Sequence, residues 1–119
     1  MADPSPANER QVFADIVEQS LLAEELGFDV VWAVEHTALT HYAHMSAPET
    51  FLAYLAGRTT RIGLGHGVVC LPPLMNHPVK VAERIATLDI LSGGRVHFGM
   101  GKGATQQEAG TFGYELEAL

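Results

Sequence analysis

RIGLGHGVVCLPPLMNHPVKVAERIATLDILSGGRVHFGMGKG, residues Arg61 to Gly103, decides the fold. Ile62–Val69 is an apolar run of strand length that empties into a Pro-rich loop, Pro72-Pro73-Leu74-Met75-Asn76. Pro78 suits the first turn of a helix. From there Val81, Ala82, Ile85, Leu88 and Leu91 recur at helical spacing, until Ser92-Gly93-Gly94-Arg95 stops the helix. Val96–Met100 is a second strand, and it enters a glycine-rich turn. Two strands joined through a helix run parallel, so their outgoing loops gather at one end of the sheet. Such loops are where α/β proteins bind small molecules.

The same alternation extends in both directions. Residues 1–7 read as a loose, disordered tail with Pro4 and Pro6. A helix follows from about Asn8 to Leu26, with Val12, Phe13, Ile16, Val17, Leu21, Leu22 and Leu26 as its apolar stripe and Gly27 as its cap. Val30–Val34 is apolar without alternation, as in a strand covered on both faces, and Trp32 is expected in the core. A polar loop runs to Met45. Ser46 and Glu49 then form a capping box around Pro48, for a helix ending near Gly57. A second box, Thr105 and Glu108, opens a short helix that Gly110 and Gly113 limit. The order is α-β-α-β-α-β-α, with strands starting about 32 residues apart, close to one βα repeat.

Composition narrows the class. The chain has 119 residues, 47 % of them hydrophobic, which suits one globular domain rather than a disordered chain. A net charge of −7 speaks against nucleic acid, whose binders need a basic face. No apolar run approaches the roughly 20 residues of a membrane span, and MADPSPANER lacks the parts of a signal peptide. Cys70 is the single cysteine, so no internal disulfide forms, and a reducing, cytoplasmic setting is expected. Three parallel strands with flanking helices leave two bare edges. A closed (β/α) barrel takes eight strands and about 250 residues. The expectation is therefore a piece of a larger α/β fold, marginally stable alone and self-associating as a homo-oligomer.

Several residues are candidates for chemistry. Glu35-His36 stands where the first strand ends, in the active-site layer of a barrel; His36 is either an acid–base group or a loop histidine satisfied by solvent. His41 and His44 have spacing too loose to specify a metal, and no metal site is expected. Gly63, Gly65 and Gly67 bare one face of a strand, for close approach by a ligand or by a bulky neighbour. His66 interrupts that run near the outgoing end. Gly99-Met100-Gly101-Lys102-Gly103-Ala104 has the outline of a dinucleotide fingerprint, and its N–H groups with Lys102 suit an anion. Cys70 reads as a small buried residue, and Arg84 and Asp89 as surface or interhelical polar contacts.

LAEELGFDVVWAVEH, AGRTTRIGLGHGVVCLP and HPVKVAERIATLDILSGGRVHFGMGKG, in that order, closely resemble the N-terminal half of the bacterial luciferase-like flavin monooxygenases, over about residues 10–114. The resemblance implies a TIM barrel, of which residues 8–119 would supply the second to fourth strands: a partial (β/α)8 barrel. It implies a flavin-dependent oxidoreductase using reduced FMN and oxygen on a small organic substrate, with a flavin reductase as supplier. A deazaflavin coenzyme for hydride transfer is the family's other use, and a non-catalytic remnant binding a partner subunit is a different reading. Activity of this chain alone is not expected. On this resemblance His36 is the acid–base residue. Gly67 and Val68, flanked by His66, match a non-prolyl cis peptide lying against the flavin ring, and Gly101, Lys102 and Gly103 match a loop whose basic residue faces the flavin. Thr37 stands where the luciferase subunits proper repeat histidine, so light emission is not implied. The Pro72–Asn76 loop is longer than usual.

Overall fold

In the computed structural model, which describes residues 3–118, three strands form one parallel sheet in the order β1 (Val30–Ala33), β2 (Gly63–Cys70) and β3 (Val96–Gly101). Val31, Leu64 and Val96 stand in one cross-strand row, and Trp32, Gly65 and His97 in the next. Successive side chains of a strand point to opposite faces, so the two rows face opposite ways. The first row packs on Phe13, Ile16 and Val17 of α1 (Pro6–Glu25), Phe51, Leu52 and Leu55 of α2 (Pro48–Ala56), and Leu88 of α3 (Pro78–Ser92). All three helices thus cover one face, and the chain is a slab 18 Å through its thinnest dimension. That is one helix layer, about 10 Å deep, on one sheet. A short α4 (Gln106–Thr111) and a 3-10 turn (Leu116–Ala118) follow β3.

The second row is open, and this corrects the burial expected of Trp32. Trp32 is 56 % exposed rather than core. An unbroken apolar run does not say which of its faces is covered, and Trp32 falls on the uncovered one. On α3, Val81, Leu88 and Ser92 are buried while Ala82 and Leu91 are exposed, because the helix meets its neighbours along a narrow line.

Helix starts also differ from the expectation. α1 opens at Pro6, not Asn8, so residues 6 and 7, read as tail, are helical; Met1 and Ala2 lie outside the described residues. Ser5 Oγ accepts the Asn8 N–H at 3.3 Å, and Pro6 brings no N–H that would need a partner. On α2 the expected capping box is absent. Ala47 holds the cap position without a side-chain bond, and Glu49 turns instead to Arg84 at 2.9 Å.

At the N-terminal end of the sheet, the Ser-Gly-Gly-Arg stop has a second task. Gly93 and Gly94 take left-handed φ values of 69° and 83°, which swings Arg95 back under the sheet. Its guanidinium donates to the carbonyls of Ser92, Ala56, Thr59 and Ile62 and to Thr59 Oγ1, at 2.7–3.2 Å. From the other side the Glu24 carboxylate accepts the N–H groups of Thr60, Arg61 and Ile62 at 2.8–3.1 Å. Burial pushes the Glu24 carboxyl up, but these donors outweigh it and hold its pKa below the ordinary 4.5. The turn that feeds β2 is therefore clamped by one cation and one anion.

Candidate functional site

Because the strands are parallel, the segments leaving β1, β2 and β3 emerge at one end of the sheet. His36 lies just past β1, Gly67 and Val68 in the last half of β2, and Gly101-Lys102-Gly103 at the end of β3. The His36 N–H donates to Met45 O at 2.9 Å, closing the loop between them, and its ring stands edge-on to Tyr42 with centroids 4.9 Å apart. His36 Nδ1 lies 3.4 Å from Glu108 Oε1.

Glu108 is the residue that sequence reasoning read only as a capping-box member. Thr105 Oγ1 does accept the Glu108 N–H at 3.2 Å. The carboxylate, however, leaves its own helix. Oε1 accepts the Thr37 N–H at 2.8 Å, and Oε2 accepts the Thr105 hydroxyl at 2.8 Å. It is only 4 % exposed, so it joins the loop after β1 to the loop after β3. A histidine held at Nδ1 by a carboxylate keeps Nε2 for taking or giving a proton.

In β2, two residues, Gly67 and Val68, stand opposite the single Gly99 of β3, and the Gly67–Val68 peptide is cis. Gly67 is exposed at this bulge. A Cβ on Gly101 would collide with the Val68 side chain, and one on Gly99 with His66 O. These glycines therefore serve strand packing. The strand order shows no reversal at β3 among the described strands, so the dinucleotide fingerprint is set aside. Gly63 and Gly65 also answer to neighbours rather than a ligand: a Cβ would strike His97 at the first and the Trp32 ring at the second. Of the β2 glycines only Gly67 has an ordinary nearest contact, 3.4 Å. Gly103 has φ 92° and Lys102 is exposed.

His66 does not join this group. Alternation turns it to the helix face, where it is 1 % exposed. Beside it lies a network missed in the sequence. Glu35 Oε2 accepts the Cys70 N–H at 2.7 Å, and Glu35 Oε1 accepts from Asn76 Nδ2 at 2.9 Å. Arg84 donates to Asn76 Oδ1 at 3.3 Å and to Glu49 Oε1 at 2.9 Å. The Arg84 contact with α2 is the interhelical one expected. The Cys70 thiol is pushed up to about 11 by burial, with Glu35 and Glu108 adding to it, so it is a buried thiol and no nucleophile. His41 is exposed, and His44 Nδ1 lies 3.7 Å from Glu9 Oε1. Among the described residues no three acidic, histidine or cysteine side chains converge as a metal site would need. No described helix is long and apolar enough to cross a membrane.

Comparison with known proteins agrees with this geometry. The family model described as luciferase-like monooxygenase matches residues 1–118. The alkanal monooxygenase alpha chain of Photorhabdus laumondii is 32 % identical over 113 residues, 95 % of this chain and 31 % of that one. The oxygenating constituent of 3,6-diketocamphane monooxygenase from Pseudomonas putida, a type II Baeyer-Villiger monooxygenase solved in complex with FMN, superposes with a TM-score of 0.83. It is 28 % identical, over 95 % of this chain and 30 % of that one. The coenzyme F420 dependent tetrahydromethanopterin reductase of Methanopyrus kandleri gives a TM-score of 0.65 and 34 % identity, over 77 % of this chain and 24 % of that one. The chain spans about a third of the length of the curated relatives it matches first. Its three strands and flanking helices are a sector of the TIM barrel that these monooxygenases share.

Proposed function

The chain belongs to the luciferase-like monooxygenase family, and on that premise we propose that it is the part of a flavin-dependent oxidoreductase barrel that carries the acid–base histidine and one wall of the flavin site. The observation that carries this reading is Glu108, which reaches from the helix after β3 to His36 and Thr37 after β1. A buried carboxylate that holds an imidazole at the outgoing end of a barrel sheet is an arrangement for proton transfer. Glu108 fixes the ring through Nδ1, and Nε2 moves the proton at the substrate or flavin.

The residues present fit a flavin. Gly67 offers an exposed peptide with no Cβ to hold a planar ring away, beside the half-exposed Trp32. Val68 and the Gly101–Gly103 backbone continue that wall, and Lys102 brings a cation for an anionic part of the coenzyme. His66 is dropped from the coenzyme contacts because it faces the helices. When bound, reduced flavin would supply the electrons that activate oxygen for oxidation of a small organic substrate. FMN is the coenzyme favoured by the FMN-bound relative; the F420 dependent relative supports a deazaflavin as the second reading. In the working enzyme a flavin reductase would deliver the reduced coenzyme, and the barrel would assemble as a homo-oligomer.

Titration of the folded chain with FMN, followed by flavin fluorescence, tests the coenzyme wall. Saturable quenching that Lys102→Ala weakens several-fold is expected. No saturable binding, together with oligomerisation, would favour a chain that only binds a partner subunit. In the complete barrel, His36→Ala lowers kcat by about 100-fold or more, with flavin affinity little changed, because an acid–base group acts in the transition state. Equal loss of flavin binding would make His36 a structural residue.

A further inference from the structure

His66 is a buried titratable residue that the proposed chemistry leaves out. Its side chain is buried, and neither ring nitrogen has a hydrogen-bond partner. Buried polar groups in folded chains are partnered, by protein or by ordered water. The imidazole brings two polar atoms to the helix-covered face of the sheet, beside a core of aliphatic side chains, phenylalanine and methionine.

The surroundings say what the partner is. His66 lines a void with Glu35, Glu49, Asn76 and Arg84, between Pro48 at the start of α2 and Val81 and Ile85 on α3. The cavity is about 10 Å³, close to the least that holds one water. The four polar residues are already joined to one another through Asn76 and Arg84. Each carboxylate keeps lone pairs beyond those bonds. Burial also holds the His66 ring below its ordinary pKa of 6.5, so the ring is neutral at neutral pH, with one N–H donor and one bare acceptor. A water can serve either nitrogen and still bond a carboxylate, an amide or a guanidinium.

We propose that a single buried water sits in this void and bonds a ring nitrogen of His66 to the Glu35–Asn76–Arg84–Glu49 network. His66 then ties β2, at the residue before Gly67 and Val68, to the helices α2 and α3 through one solvent molecule. The assignment stands apart from the flavin reading, since it concerns the opposite face of the sheet.

A crystal structure of the chain at a resolution that orders internal solvent decides the matter. The expected result is one water within hydrogen-bond distance of a His66 ring nitrogen and of at least one of Glu35, Glu49, Asn76 and Arg84. In solution, water-to-imidazole cross-relaxation should mark a long-lived water at His66, and His66→Leu should lose that one water from the oxygen-17 relaxation dispersion. An empty void, with the ring nitrogens unbonded or one of them set on the Phe98 ring, overturns the proposal. So does a ring turned to bond a protein group directly. The wild-type density and cross-relaxation settle it even if His66→Leu does not fold.

Discussion

The two ends of the sheet are built on different terms. At the N-terminal end the two clamping charges act mainly on backbone: Arg95 on four carbonyls and the Thr59 hydroxyl, Glu24 on three N–H groups. At the C-terminal end charged side chains hold other side chains as well as backbone, Glu108 taking the Thr37 N–H and Glu35 the Cys70 N–H. Glu108 meets His36 at 3.4 Å, Arg84 meets Asn76 at 3.3 Å, and Gly67 and Lys102 are exposed. Backbone clamps fix a turn whatever lies nearby, while pairs of side chains can be re-aimed by a ligand or a proton. The first end keeps the strands in place, and the second leaves groups available for chemistry.

That contrast breaks most visibly at Arg95. Arg95→Ala orphans several partly buried carbonyls and should cost about 3 kcal/mol or more in urea unfolding, since hydrogen bonds to a charged group contribute roughly 1.5–3 kcal/mol each. A loss under about 1 kcal/mol would mean that the clamp is ornamental. Glu35→Ala comes next. It strips partners from the Cys70 N–H and Asn76, and about 2 kcal/mol is expected by the same measurement. Glu24 sharpens the comparison through pH. Its folded pKa lies below the ordinary 4.5, so its contribution is complete above 4.5 and disappears as the pH falls through the folded value. Glu24→Gln should flatten stability in that acid range alone; an unchanged acid slope would show that the clamp carries no linked proton. The smallest effect belongs to His36→Gln. A contact of 3.4 Å at a partly exposed ring should leave stability within about 0.5 kcal/mol. A large loss there would make the C-terminal end a scaffold like the other.

Much of the fold was legible because it is written locally. Gly27, Pro78 and Gly93 punctuate helices where the backbone needs them, and the apolar runs of β1, β2 and β3 fall within a residue or two of their strands. The resemblance named His36, His66, Gly67, Val68, Gly101, Lys102 and Gly103; parallel topology brings the segments that carry them to one end of the sheet, with His66 turned to the helix face. What could not be read is contact across sequence. Glu108 meets Thr37 across 71 positions, and a capping-box pattern already explained its presence. Asn76 reads in the sequence only as the end of the Pro-rich loop, yet its amide lies between Glu35 and the Cys70 carbonyl. His66 was grouped with its neighbour Gly67, although adjacent residues of a strand face opposite sides.

Trp32 lies on the open face of the sheet, its ring filling the space above Gly65 and its edge toward Gly67. It is the chain's single tryptophan. Indole emission from this protein therefore comes from one known place, on the wall against which a coenzyme would rest. The molecule contains its own gauge: a flat, light-absorbing ligand settling beside Gly67 would dim that emission by direct contact with the indole as well as by energy transfer.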